Sequence, residues 1–239
     1  MRARTRIIAP LAFALALTAA CGESGSSGSD AGSSSGSNAS GEACAPVKGD
    51  KLVVLEDDKN LQNADNVLPA VNAAVAKAQP ALLPALDAIS AKLTTDDLVE
   101  LNAAVDVQRK SAEDVAAAWV KDSGVTAGLQ KGSGALVVGA TSTFTESAIV
   151  GNIYGDVLKA AGFDVTVQDA GGNREAYLKA LEEGKQFQVF PEYAATLAEF
   201  INHAKNGPDA PSVASPDIDA TMAALTPLAE GVGLTLGTP

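Results

Sequence analysis

Aromatic residues, cysteine and histidine are all scarce in this sequence. Aromatic residues make up 4% of the 239 residues, and the chain has two cysteines and one histidine. Metal sites and nucleophilic Cys/His pairs draw on these residue types, usually several at once. No acid, base and nucleophile converge in the sequence either. We therefore expect no catalytic activity, no bound metal and no cofactor.

Positive charge is scarce as well. Lys and Arg number 17 against 29 Asp and Glu, which gives a net charge of −12, and three of the cations are Arg2, Arg4 and Arg6. No basic cluster follows them, so the sequence argues against nucleic acid or an anionic membrane face as a partner. Hydrophobic residues make up 46% of the chain, which is enough for a globular core and excludes wholesale disorder.

Residues 1–20 have the features of a secretory signal peptide. A basic start precedes an apolar run from Ile7 to Leu17, about half the roughly 20 residues that a membrane-spanning helix needs. The sequence Leu17-Thr18-Ala19-Ala20 before Cys21 resembles the bacterial lipoprotein processing box, which implies lipidation of Cys21. An ordinary signal peptide that ends beside a cysteine is the alternative.

A flexible tether is predicted for residues 21–50. Between Gly22 and Ala43 there are nine serines and six glycines, so this stretch cannot bury enough apolar surface to order itself. A lipidated cysteine followed by such a tether would hold a domain at the outer face of the bacterial cytoplasmic membrane. The expected contact with the membrane is through the lipid anchor only.

Residues 51–124 are predicted to contain two short strands followed by three amphipathic helices. The strands are Leu52–Leu55 and Val67–Val71, and the helices are 80–93, 96–105 and 112–121, with Thr95 and Ser111 as caps of the second and third. A glycine-containing linker is predicted at residues 125–134.

Residues 135–239 alternate strand and helix. The predicted strands are 135–139, 163–168, 187–190 and 234–236; the predicted helices are 145–161, one capped by Asn173 that runs to Glu183, 192–204, and one opened by Ser215-Pro216-Asp217. This alternation implies right-handed βαβ units. The predicted fold class is therefore α/β, with a mostly parallel sheet flanked by helices on both faces.

Two predicted loops lie where an open parallel sheet binds ligands, beyond the carboxyl ends of its strands. The first runs from Thr141 to Glu146 and the second from Pro191 to Tyr193. Candidate ligand-binding residues are Thr143, Thr145, Glu146 and Tyr193. The alternatives are that the hydroxyls only cap a helix, that Glu146 is a first-turn acid favoured by the helix dipole, and that Tyr193 is a core residue.

The strings themselves resemble a known family. VVLEDDKNLQNADNVLPAV and KLTTDDLVELNAAVDVQRKSAEDVAAAWVKDSG resemble the C-terminal part of the substrate-binding proteins of osmoprotectant ABC importers. VVGATSTFTESAIVGNIYGDVLKAAGFDV and VFPEYAATLAEF resemble the N-terminal part of the same family. The resemblance implies a type II periplasmic-binding-protein-like lobe that binds glycine betaine, choline or a related quaternary ammonium. It also implies an ABC permease with its ATPase as partner, and places Tyr193 on a position that supplies aromatic contacts to the ligand.

The order of the two parts is reversed relative to that family, which suggests a circular permutation joined through residues 125–134. Residues 51–124 and 135–239 would together form the first lobe, and the expectation is a chain without the second. Three positions depart from the family's usual residues. Thr143 stands where the family often has Asn, Ser147 replaces the usual Gln, and the Asp65-Asn66 pair stands where many relatives carry an aromatic residue before Asn. One tyrosine does not supply the roughly 8 kcal/mol that micromolar affinity needs. The competing interpretation is a non-transport surface lipoprotein, or an inactive fragment, that retains one lobe.

Overall fold

The computed structural model describes residues 56–239. The predicted signal peptide, tether and Leu52–Leu55 strand lie outside the described residues. Within them, strands and helices follow in this order: β1 (Val67–Asn72), α1 (Ala73–Ala78), α2 (Leu82–Ser90), α3 (Thr95–Asp106), α4 (Ala112–Ser123), β2 (Ala135–Ala140), α5 (Thr145–Ala161), β3 (Asp164–Asp169), α6 (Arg174–Glu183), β4 (Val189–Tyr193), α7 (Ala194–Asn206), α8 (Ile218–Gly231) and β5 (Leu234–Leu236).

The five strands form one open sheet in the order β3-β2-β4-β1-β5. Strand β2 pairs in parallel with β3 and β4, whereas β1 pairs antiparallel with both β4 and β5. Four strands therefore run in one direction and β1 runs against them, which confirms a mostly parallel sheet. In the β1–β4 register, Pro69 faces Pro191.

Helices cover both faces of the sheet, as the strand–helix alternation predicts. Side chains of β1 alternate between two apolar clusters: Val71 packs with α2, α4 and α5, whereas Leu68 packs with α6, α7 and α8. Burial on both faces explains why β1, β2 and β4 are apolar at most positions, whereas the edge strand β3 alternates apolar and polar residues. The result is a three-layer α/β/α lobe.

Helix α5 lies close against the sheet because glycine replaces larger residues on its inner face. A Cβ atom at Gly151 would lie 2.5 Å from the Cβ of Ala140, and one at Gly155 would lie 2.5 Å from a methyl carbon of Val167. Real side chains essentially never approach so closely, so this face of α5 needs glycine. The close packing places Gly151 of α5 directly against Ala140, the last residue of β2.

Three of the predicted helix starts are wrong, and each has an identifiable physical reason. Thr94, not Thr95, caps α3. The Thr94 hydroxyl accepts from the Asp97 N–H, and the Asp97 carboxylate accepts from the Thr94 N–H. Asp217, not Ser215, caps α8, with its carboxylate accepting from the N–H groups of Asp219 and Ala220. Pro191–Tyr193, expected as a loop and helix start, continues strand β4, because this segment pairs with β1.

Asn72 joins segments that are more than a hundred residues apart. Its side-chain oxygen accepts from the N–H groups of Ala74 and Val75, which caps α1. Its amide nitrogen donates to the carbonyls of Leu181 (3.1 Å) and Glu182 (2.9 Å) at the end of α6. The side chain is buried, so each of these backbone groups depends on it.

Replacing Asn72 with alanine should lower the free energy of unfolding by roughly 2–4 kcal/mol, because a helix cap is lost and carbonyls are left without their donor. Urea denaturation monitored by circular dichroism measures this loss. Asn63→Ala is the matched control, since Asn63 is exposed, and its effect should stay within about 0.5 kcal/mol. A loss below about 1 kcal/mol for Asn72→Ala would show that water replaces the amide at no cost.

Candidate ligand-binding site

The carboxyl ends of β2, β3 and β4 meet at one edge of the sheet. Because β1 runs in the opposite direction, its first residues lie at the same edge, with Val67 beside Tyr193. The loops after β2 and β3 and the Asp65-Asn66 pair before β1 therefore gather there. In an open α/β sheet this edge is where ligands bind.

Two of the predicted site residues are in direct contact at this edge. The Tyr193 hydroxyl donates to Glu146 Oε1 at 2.9 Å, which joins the end of β4 to the first turn of α5. Burial, followed by the hydrogen bond to Glu146, raises the pKa of the Tyr193 hydroxyl. Tyr193 therefore stays neutral and keeps its proton for Glu146, and the half-buried ring is held in one place.

Phe144 adds a second aromatic ring; it lies in the predicted loop but is not among the predicted site residues. Its side chain is 52% exposed, and its ring centroid lies 6.5 Å from that of Tyr193 with the planes at 74°. An exposed phenylalanine between polar residues in a strand–helix loop is the signal that could have identified it. Together Phe144 and Tyr193 give the edge a small aromatic surface.

The two threonines of the predicted site turn to different neighbours. The Thr145 hydroxyl donates to Asp106 Oδ1 at 2.8 Å and so fixes the start of α5 to the end of α3. Thr143 is exposed, and its Oγ1 lies close to Gly172, where an added Cβ would be 2.7 Å away. Both residues lie at this edge of the sheet, yet neither is bonded to the Tyr193–Glu146 pair.

The loop after β2 is held by the end of β3. The Ser142 hydroxyl donates to Asp169 Oδ2 at 2.8 Å, and the N–H groups of Ser142 and Gly171 donate to Asp169 Oδ1. These hydrogen bonds, with that of Gly171 the largest, lower the pKa of Asp169. The carboxylate thus stays ionised and links two loops of the candidate site.

A buried ion pair lies directly behind Tyr193. Glu192 is fully buried, and its Oε2 lies 3.2 Å from Arg174 Nη2 at the start of α6. Arg174 Nε donates to the Tyr177 hydroxyl at 2.9 Å, and the Tyr177 ring stacks on Phe190 with centroids 4.3 Å apart. The Tyr193 N–H also donates to Glu192 Oε2 at 3.3 Å. Sequence reasoning missed this pair because it places Pro191–Tyr193 in a loop.

Helices α5 and α7 both begin at this edge but are capped differently. The Asp65 carboxylate caps α7 from outside the helix, accepting from the Thr196 N–H at 2.9 Å and from the Thr196 hydroxyl at 2.6 Å. Helix α5 has no side-chain cap, and its N-cap residue is Phe144. Glu146 is the acid in its first turn.

A cavity of about 540 Å³ lies beside the start of β1. This volume falls in the range of small-molecule pockets. Its walls combine polar residues of the edge, Asp65 and Asn66, with apolar residues of α2, α3 and α5, namely Ile89, Leu98 and Val150. The candidate site therefore has an adjoining space into which a ligand could extend.

Within residues 56–239, no helix is both long and apolar enough to cross a membrane. In the same residues, no group of three or more His, Cys, Asp or Glu side chains is placed to hold a metal ion.

An open, mostly parallel sheet between two helix layers, with its loops gathered at one edge, is the architecture of a periplasmic-binding-protein-like lobe. The chain belongs to the family described as the substrate-binding domain of ABC-type glycine betaine transport systems (OpuAC), which matches residues 45–122 and 134–232. Members of this family are extracytoplasmic and bind a small-molecule solute; they are not enzymes. No curated protein matches the chain.

Proposed function

We propose that this chain is a lipid-anchored extracytoplasmic receptor that delivers a quaternary ammonium osmoprotectant to an ABC permease and its ATPase. The family match over two segments carries this proposal. The Cys21 processing sequence and the Ser/Gly tether support the anchor. A receptor of this kind needs a ligand edge and a surface for the permease, and no catalytic group.

The ligand site of this proposal is the edge around Tyr193, Phe144, Glu146, Thr145 and Thr143. A quaternary ammonium has no N–H to donate, so it is recognised by aromatic faces and by negative charge. The rings of Tyr193 and Phe144 supply the aromatic faces, and the Glu146 carboxylate supplies the negative charge. The hydrogen bond from Tyr193 to a carboxylate places further electron density on the ring that faces the cation.

In this proposed function, the described residues form one permuted lobe of a two-lobed receptor. One five-stranded sheet accounts for all their strands, and the unmatched stretch between the two family segments, residues 123–133, nearly coincides with the linker proposed at 125–134. No helix or strand forms between residues 125 and 134. In such receptors a second lobe closes over the ligand by a hinge motion. The first lobe alone should bind in the millimolar range.

Replacing Tyr193 with alanine should weaken binding of a quaternary ammonium about five- to tenfold. This factor corresponds to the loss of one cation–π contact of about 1 kcal/mol or slightly more. Nuclear magnetic resonance titration of the full chain with choline, carried to tens of millimolar, measures the change.

Tyr193→Phe is the matched control, because it keeps the ring and removes only the hydroxyl that bonds Glu146. Its affinity should fall between those of the wild type and Tyr193→Ala. Equal affinities for the wild type and Tyr193→Ala would remove Tyr193 from the site. Absence of saturable binding of any quaternary ammonium would favour the competing function, a surface lipoprotein without a transport role.

A further inference from the structure

Four carboxylates lie at the edge of the sheet that holds the candidate site, and we call them the carboxylate rim: Asp65, Asp106, Glu146 and Asp169. Each accepts a hydrogen bond from a hydroxyl group of this same edge, at 2.6 to 2.9 Å. None of the four forms an ion pair with a cation among the described residues. The edge therefore has four negative charges that its own side chains leave uncompensated.

The same four hydrogen bonds occupy hydroxyl donors that an anionic ligand group would otherwise use. The hydroxyls of Ser142, Thr145, Tyr193 and Thr196 all point their protons at the rim. Arg174, the cation beside Tyr193, is paired with the fully buried Glu192. Of the predicted site hydroxyls, only that of Thr143 makes no hydrogen bond within residues 56–239.

Besides the Thr143 hydroxyl, the uncapped start of α5 is a feature of the edge that favours an anion. A helix N-terminus is equivalent to roughly half a positive charge. Glu146 in the first turn of α5 places a full negative charge at this same terminus. The first turn is therefore net negative even before the other three rim carboxylates are counted, so the rim outweighs the helix dipole.

We infer that this site selects a quaternary ammonium whose other end is neutral, such as choline, over one that ends in a carboxylate, such as glycine betaine. The inference rests on the proposed function and narrows it to one chemical class. The aromatic surface of Phe144 and Tyr193 binds the ammonium in both ligands. The carboxylate rim discriminates between the two ligands. The hydroxyl of choline can donate a hydrogen bond to a rim carboxylate, whereas the carboxylate of glycine betaine is repelled by the rim.

The test compares choline and glycine betaine on the full chain, at low ionic strength and at concentrations up to tens of millimolar. Tetramethylammonium serves as a reference that has the cation alone. Choline should bind at least about fivefold more tightly than glycine betaine, which is the effect of a repulsion of about 1 kcal/mol between solvated charges. Glu146→Gln and Asp106→Asn, which keep the shape of the side chain, should each reduce this ratio at least about twofold.

Asp122→Asn is the control, since Asp122 is an exposed acid at the far end of α4 and its loss should leave the ratio unchanged. Glycine betaine binding as tightly as choline, or a ratio that neither rim variant alters, would overturn the inference and leave the proposed function standing. Failure of all three compounds to bind would overturn the proposed function, and the inference with it.

Discussion

Replacing Arg174 with leucine should lower the free energy of unfolding by roughly 3–5 kcal/mol at pH 7. Glu192 is fully buried, and Arg174 is its only cationic partner within residues 56–239. Without the guanidinium, the carboxylate is left charged in an apolar environment behind Tyr193. Urea denaturation of both proteins under identical conditions gives the difference.

This loss should shrink as the pH falls from 7 toward 5. Burial raises the pKa of Glu192, and the charge of Arg174 opposes that rise, so the pKa rises further in Arg174→Leu. A carboxyl group whose pKa is raised by folding binds more protons in the folded state, which makes lower pH stabilising between its folded pKa and its ordinary value near 4.5. The double variant Arg174→Leu/Glu192→Gln should recover much of the stability. A deficit that grows on acidification would contradict this account.

Replacing Cys21 with serine should move the protein from the membrane fraction to the soluble fraction. The thioether-linked lipid is the proposed membrane contact, and serine cannot carry it. Fractionation of cells followed by immunoblotting measures the distribution, and mass spectrometry of the N-terminus identifies the processing site.

Cys44→Ser is the matched control for this experiment. It removes the other cysteine of the chain, which lies after the Ser/Gly-rich stretch, and should leave the protein in the membrane fraction. If Cys21→Ser stays with the membrane and its signal peptide has been removed, the lipid anchor is wrong and another contact holds the protein there.

The fold was largely predictable where local signals decide it. Helix α5 begins and ends where the sequence places it, because Gly162 adopts a left-handed conformation that stops the helix. Strand β1 was predicted as an extended segment, but its direction was not, since direction depends on pairing with β4 and β5 far along the chain. The extension of β4 through Pro191 follows from that same pairing and was missed with it.

The candidate site was predictable only in part, for the same reason. Tyr193 and Glu146 were both placed after strand ends, and the parallel order of β2 and β4 brings them together. Asp106 and Asp65 were not identified, because they contact Thr145 and Thr196 across 39 and 131 residues of chain. No short motif signals such a contact before the helices are packed.

The position of β1 between β4 and β5 sets the order in which this lobe can form. Val67 pairs with Tyr193, so β1 is synthesised long before either neighbouring strand exists. Closing the loop of chain between Val67 and Tyr193 costs about 2 kcal/mol more than closing a loop of ten residues, which slows folding. Until then, an apolar strand remains unpaired and could join the strand of another chain. Pro69 lies in the middle of this segment and lacks an N–H group, so it weakens any such incorrect pairing before β4 and β5 are in place. In the folded sheet, the Gly237 N–H donates to the Pro69 carbonyl at 2.8 Å.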